Sequence, residues 1–189
     1  MAPGGSPGIL TCSNFNAGGG SGTRQIELNG TTPGTGYDQL NVRGTVNLAG
    51  VTVSATLGFA SSTNDQFTII NNDSSDAVVG TFSGLPQSKR LYIGHELFQI
   101  DYAGGSGNDV VLSRLVTPPP PTRTIQKVAP DSVRLLWPTN DPPFSLQTTT
   151  NLPATTWIAA FPQPVTIAAN NVVTNDIRAL ARSYRLSSP

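Results

Sequence analysis

The sequence predicts an all-β chain of two modules. Three observations predict it. Only 12% of the 189 residues are charged, against ~25% in an average globular chain, while Gly and Pro number 19 and 16. Met occurs once, and Glu only at Glu27 and Glu96, so strong helix formers are scarce. Apolar residues alternate with Thr, Ser and Asn in short runs, the period of a strand with one buried face. Finally, Pro118–Pro121 is a run of four prolines. Such a run has no backbone donors and favours polyproline II, a semi-rigid spacer. The expected division is residues 1–116, a linker at 117–121, and residues 122–189.

In the first module the expected strands follow one another between Gly, Asn and Asp turns. Gln25–Leu28 ends at Asn29-Gly30, a tight-turn dipeptide. Gln39–Val42 follows the glycine turn Gly34–Asp38. Val46 and Leu48 alternate with Thr45 and Asn47. Val51, Val53, Ala55 and Leu57 alternate with Thr52, Ser54 and Thr56, placing one face inward. Phe67–Ile70, Val78–Phe82, Leu91–Ile93, Leu97–Tyr102 and Val110–Leu112 complete the series, with Gly94-His95-Glu96 between two of them.

An internal echo runs through this module. Gly34-Thr35-Gly36-Tyr37-Asp38-Gln39-Leu40 is repeated in kind by Gly105-Ser106-Gly107-Asn108-Asp109-Val110-Val111. Each is a glycine turn, an aspartate and an apolar strand. The aspartate is placed to accept backbone N–H groups as the chain re-enters a strand. Repeated strand–turn units of this kind point to a short β-solenoid or β-roll-like unit.

Charge and patterning exclude several function classes. The formal net charge is zero, so nothing neutralises a phosphate backbone, and no nucleic-acid partner is expected. No run approaches ~18 apolar residues, so no helical membrane span is expected. Cys12 is the single cysteine. It cannot form an intrachain disulfide, and its apolar setting in Ile9–Cys12 gives it a packing role. The opening Met-Ala-Pro-Gly-Gly-Ser-Pro-Gly lacks the basic and apolar regions of a signal peptide. With low charge and many Thr, Asn and Gly, the expectation is a piece of a longer exported chain, extracellular or at a cell surface.

Residues 30–42, 67–73 and 104–112, with the opening Ser6–Thr11, resemble the passenger repeat of bacterial autotransporter-like surface proteins. The resemblance covers about residues 1–114 in order and implies a β-helical or β-roll segment. That family is mainly structural and offers no shared catalytic residues. Val133–Pro138, Phe144–Leu152, Trp157 and Ser183–Leu186 resemble a C-terminal module of large secreted proteins from environmental bacteria. This likeness implies a small fibronectin- or immunoglobulin-like β-sandwich. Trp137 and Trp157 would lie in its core, and Tyr184 would pack between its sheets.

Candidate chemistry is thin. There is no P-loop and no helix-opening G-x-G-x-x-G. One His and one Cys far apart do not make a zinc site. Gly104–Leu112 fits the nonapeptide G-G-x-G-x-D-x-U-x of calcium-binding β-rolls. Asp109 and Asn108 within it, with Asp38 or Asp101 helping, are the candidate Ca2+ ligands, set against the plainer reading of Asp109 as a turn cap. His95 is the only histidine and so the only ordinary acid–base group near neutrality. If the chain is a hydrolase, His95, Glu96 and Asp101 are its candidate residues. Tyr37, Tyr92 and Tyr102 are candidates for stacking on sugars.

The favoured function is non-catalytic: a structural, adhesion or export-associated segment, with a polysaccharide or surface partner and self-association through exposed β edges. The alternatives are an extracellular hydrolase of esters, lactones or glycans, calcium-assisted or not, and a carbohydrate-binding module.

Overall fold

The computed structural model describes residues 5–17, 21–140, 143–154, 156–176, 178 and 182–187. The first four residues of the segment read for an export signal lie outside them. The chain is all-β, as the composition predicts, with 17 strands and no helix among the described residues. It divides into two compact units, Met1–Thr117 and Pro118–Pro189.

The first unit holds ten strands: β1 (Ile9–Cys12), β2 (Phe15–Asn16), β3 (Gly22–Leu28), β4 (Gln39–Val42), β5 (Val46–Asn47), β6 (Val51–Leu57), β7 (Gln66–Asn72), β8 (Arg90–Ile93), β9 (Glu96–Gly104) and β10 (Asp109–Arg114). Strands β1, β4 and β7 stack in parallel, as do β2 with β5 and β3 with β6. Ile9 pairs with Gln39, Phe15 with Val46 and Gly22 with Val51. One full coil therefore takes about 30 residues, long enough for the crossover that parallel pairing demands. After β7 the mode changes. Strands β10, β9 and β8 add antiparallel to the same sheet, giving the order β1-β4-β7-β10-β9-β8.

Alternation puts the apolar side chains of these strands inside. On β3, Ile26 and Leu28 are buried; on β4, Leu40 and Val42. Phe67, Ile69 and Ile70 of β7, Phe98 and Ile100 of β9, and Val110 and Leu112 of β10 join one core. Cys12 is a free thiol, half-buried, packing against that core.

Two sequence expectations for the first unit are corrected. Val78–Phe82 is not a strand; only Val79 bridges to Asn47. Gly80 has a φ of +75° and turns the chain before a ladder can extend. Asn29-Gly30 does not form a two-residue turn. It opens a wider loop in which the Asn29 amide donates to the Gly36 carbonyl and the Gly36 amide to that of Thr32. A Cβ on Gly36 would sit 2.8 Å from the Gly30 carbonyl carbon, so only glycine allows this approach.

Tyr102 of β9 ties the Val78–Leu85 stretch to the core. Its hydroxyl accepts from the Phe82 amide at 3.0 Å and donates to the Leu85 carbonyl at 2.7 Å. Burial pushes its pKa up to about 12. The unfolded phenol titrates near ~10, so the folded state resists ionisation. The stability this contributes is whole below pH ~10 and is lost as pH rises towards 12. Tyr102→Phe should therefore be less stable than the parent near neutrality, having lost both hydrogen bonds, but its stability should fall less between pH ~10 and ~12, measured by the methyl signals of the first unit in urea. Identical alkaline profiles would refute this role.

The second unit has seven strands: β11 (Thr124–Ala129), β12 (Ser132–Pro138), β13 (Ser145–Thr149), β14 (Ile158–Ala159), β15 (Val165–Ile167), β16 (Asn170–Asp176) and β17 (Ser183–Ser187). They form two antiparallel sheets, β11-β12-β16-β15 and β14-β13-β17. Leu135, Trp137 and Val173 of the first sheet meet Leu146 of the second, with Ala160 between strands; Tyr184 packs against this cluster as expected. Trp157 does not enter it. That ring is half-buried, with the Arg185 guanidinium carbon 4.6 Å above its centroid.

Candidate functional site

The candidate hydrolytic residues sit on the hairpin of β8 and β9. Gly94 turns with a φ of +62°, and His95 at the tip is exposed. The Glu96 carboxylate accepts from Arg114 Nε at 2.8 Å. Arg114 is itself largely buried, with its guanidinium over the Phe98 ring. Asp101 Oδ1 accepts from Gln87 Nε2 at 2.5 Å and from the Ala103 amide at 2.9 Å. Glu96 and Asp101 are five residues apart on one strand, so they point to opposite faces, roughly 16 Å apart along it. The structure therefore does not bring the three into one cluster, and both carboxylates are engaged by other groups, Glu96 by Arg114 and Asp101 by Gln87 and Ala103.

The glycine turns are better built. Asp38, just before β4, is 1% exposed. Its Oδ1 accepts from the Gly8 amide at 2.8 Å and its Oδ2 from the Glu27 amide at 3.0 Å. The Asp38 amide in turn donates to the Glu27 carbonyl, and the Gln39 amide to that of Gly8. One carboxylate thus ties the start and the end of the first coil to the opening of the second.

Asp109, at the start of β10, does the matching work at the other end. Oδ1 accepts from the Asn72 amide at 2.8 Å. Oδ2 accepts from the Ser106 amide at 3.0 Å and is contacted by its hydroxyl at 3.2 Å. Gly105 has a φ of +55°, and a Cβ there would sit 2.0 Å from Asp109 Oδ2. The turn therefore closes on the carboxylate only because Gly105 has no side chain.

Asn108 holds the neighbouring loop. Its Nδ2 faces the carbonyl oxygens of Asp73, Asp76 and Ser74 at 3.0, 3.1 and 3.4 Å. Its Oδ1 accepts from the Ser106 hydroxyl at 2.8 Å.

Of the candidate calcium ligands, Asn108 and Asp109 share one turn. Asp38 does not join them. The parallel register places it beside Thr68, whereas Asp109 binds Asn72, and β7 lies between. Four residues along the strands is roughly 13 Å, too far for two carboxylates to share one ion. Among the described residues no three His, Cys, Asp or Glu side chains gather as a metal site.

Of the candidate sugar platforms, Tyr37 and Tyr102 are buried in the core, Tyr37 with its ring edge-on to Phe67 at 5.4 Å. Their faces are spent on packing. The second unit carries a groove of about 490 Å³ between Thr148–Asn151, Ile158, Phe161 and Arg182. Among the described residues it is lined by no carboxylate or histidine.

Sequence reasoning missed Arg24. This side chain on β3 is 1% exposed, yet Nε, Nη1 and Nη2 have no hydrogen-bond partner among the described residues. The signal was present: Arg24, Ile26 and Leu28 are one alternating set, so the phase of β3 turns Arg24 inward with them.

No family model matches the chain, and no curated protein or solved structure matches it either.

Proposed function

We propose that the chain is a non-catalytic structural segment of an exported or cell-surface protein, serving display, adhesion or export. One observation carries the reading. The buried carboxylates at the echoed turns, Asp38 and Asp109, are spent on backbone amides, and the only histidine stands alone at an exposed tip. Groups so committed hold coils together; they are not left free for proton transfer or nucleophilic attack.

The resemblance of residues 1–114 to autotransporter-like passenger repeats supports the same reading, as does the sparse charge of the chain. In this proposal the parallel coils are a short β-solenoid. The outer edges of β1, β2 and β3, which pair on one side only among the described residues, are the surface for self-association.

The test is a hydrolase panel of esters, lactones and glycans on the purified chain, with calcium and with chelator, beside His95→Ala. The reading predicts no turnover under any condition. Turnover abolished by His95→Ala would overturn it in favour of a hydrolase, and chelator-sensitive turnover would make that hydrolase calcium-assisted.

A further inference from the structure

The zero net charge of the chain is unevenly shared. Residues 118–189 hold six of its eleven cationic side chains but only three of its eleven anionic ones, Asp131, Asp141 and Asp176. No Asp or Glu occurs in residues 142–175 or 177–189, so the sheet of β14, β13 and β17 is built without one. Charge asymmetry between the halves of a chain points to a charged partner, here an anionic one.

One cation on that sheet is held ready. Leu146, Tyr184 and Leu186 pack into the core, so alternation turns Ser145, Gln147, Ser183 and Arg185 to the outer face. Gln147 and Arg185 stand directly opposite each other, and Arg185 Nε donates to Gln147 Oε1 at 2.8 Å. The guanidinium carbon then lies 4.6 Å from the Trp157 ring centroid. Unlike the enclosed Arg24, Arg185 is exposed. Among the described residues Nε is the only nitrogen of its fork with a hydrogen-bond partner, which leaves the Nη1–Nη2 edge for a ligand. An exposed arginine ordinarily loses rotamer freedom when it binds; indole and amide have already restricted this one.

We propose that the outer face of this sheet binds a carboxylate-bearing polysaccharide, a polymer of uronic acid, through the Arg185 fork. The two oxygens of a carboxylate match the two N–H bonds of the Nη1–Nη2 edge. Ser145 and Ser183, each two residues along from the Gln147–Arg185 pair, place hydroxyls beside it for those of the sugar. A nucleic acid would need a row of cations to follow its phosphates, and β13 and β17 carry one. The choice of a polymer rests on the adhesion reading above; the choice of a carboxylate does not.

The test titrates polygalacturonate into the whole chain at constant ionic strength, beside its methyl-esterified form, poly-glutamate and single-stranded DNA. Polygalacturonate should move the Arg185 Nε–H resonance saturably and change the indole emission. The methyl ester, which keeps the sugars and loses the charge, should do neither. Arg185→Lys keeps the charge without the planar fork and should weaken binding roughly tenfold or more. Arg134→Gln removes an exposed cation from β12, in the other sheet, and should leave binding unchanged. An equal loss in Arg134→Gln, or equal binding of the methyl ester, would overturn the site. Tighter binding of DNA or poly-glutamate would overturn the polysaccharide in favour of that polymer. A flat titration beside a silent hydrolase panel would overturn this site alone and leave the structural reading standing.

Discussion

Asp109→Ala should lower the stability of the first unit by about 3–5 kcal/mol, among the largest effects of any single polar substitution in the chain. The carboxylate accepts the amides of Asn72 and Ser106, and Asn72 is 2% exposed. Removing it strips an otherwise enclosed amide of its partner rather than returning that amide to water. Each hydrogen bond to a charged acceptor contributes about 1.5–3 kcal/mol, and an orphaned buried donor costs about 1–3. For a unit of this size the melting midpoint should fall by about 10–20 °C. Asp109→Asn keeps one acceptor oxygen but turns an NH2 towards a donor, so its loss should be intermediate. His95→Ala, at the exposed tip, should change stability by less than ~0.5 kcal/mol. An Asp109→Ala chain as stable as His95→Ala would show that the turn does not depend on its carboxylate.

Phe67→Ala should cost about 3–5 kcal/mol. Phe67 is fully buried on β7, the strand where parallel stacking gives way to antiparallel pairing. Its ring meets Tyr37 at 5.4 Å, Phe98 at 6.1 Å and Phe59 at 6.2 Å. These contacts join the loop before β4, the loop before β7 and strand β9. Deleting the ring leaves a cavity that three rigid rings cannot collapse to fill. Phe67→Leu, which refills part of the volume, should lose roughly half as much. The urea midpoint should shift with little change in slope. Both tryptophans, Trp137 and Trp157, belong to the second unit, so indole emission reports that unit and should not carry the Phe67 effect. A shift below ~1 kcal/mol would mean that the cluster is not a keystone of the first core.

How much of this was legible beforehand depends on range. The alternation of Val51, Val53, Ala55 and Leu57 reads directly as an inward face, and the structure agrees. The strand partners were not legible. Ile9 pairs with Gln39 and Leu40 with Ile70, yet the four-residue runs involved share little sequence. Parallel pairing is set by the length of the intervening coil, which local pattern does not encode.

Val78–Phe82 misled because β-branched residues look like a strand while Gly80 bends the backbone. Trp157 misled because an aromatic in a sandwich suggests a core, whereas Arg185 supplies a cationic lid near the surface. Asp38 and Asp109 were legible as turn caps through their glycine echo. What the echo could not give was distance: the register of β7 separates the two aspartates. Arg24 was missed because the strand was begun three residues too late, at Gln25 rather than Gly22, which left Arg24 outside it.

The central claim is that these aspartates are fasteners for backbone amides. Native-state hydrogen exchange at the amides of Glu27 and Asn72 tests it most directly, run once with chelator and once with excess calcium. Both amides should exchange among the slowest of the first unit, at rates that calcium leaves unchanged. Rapid exchange at either, or an Asn72 amide released when calcium is added, would contradict it, because the carboxylate would then have turned away from the backbone and towards an ion.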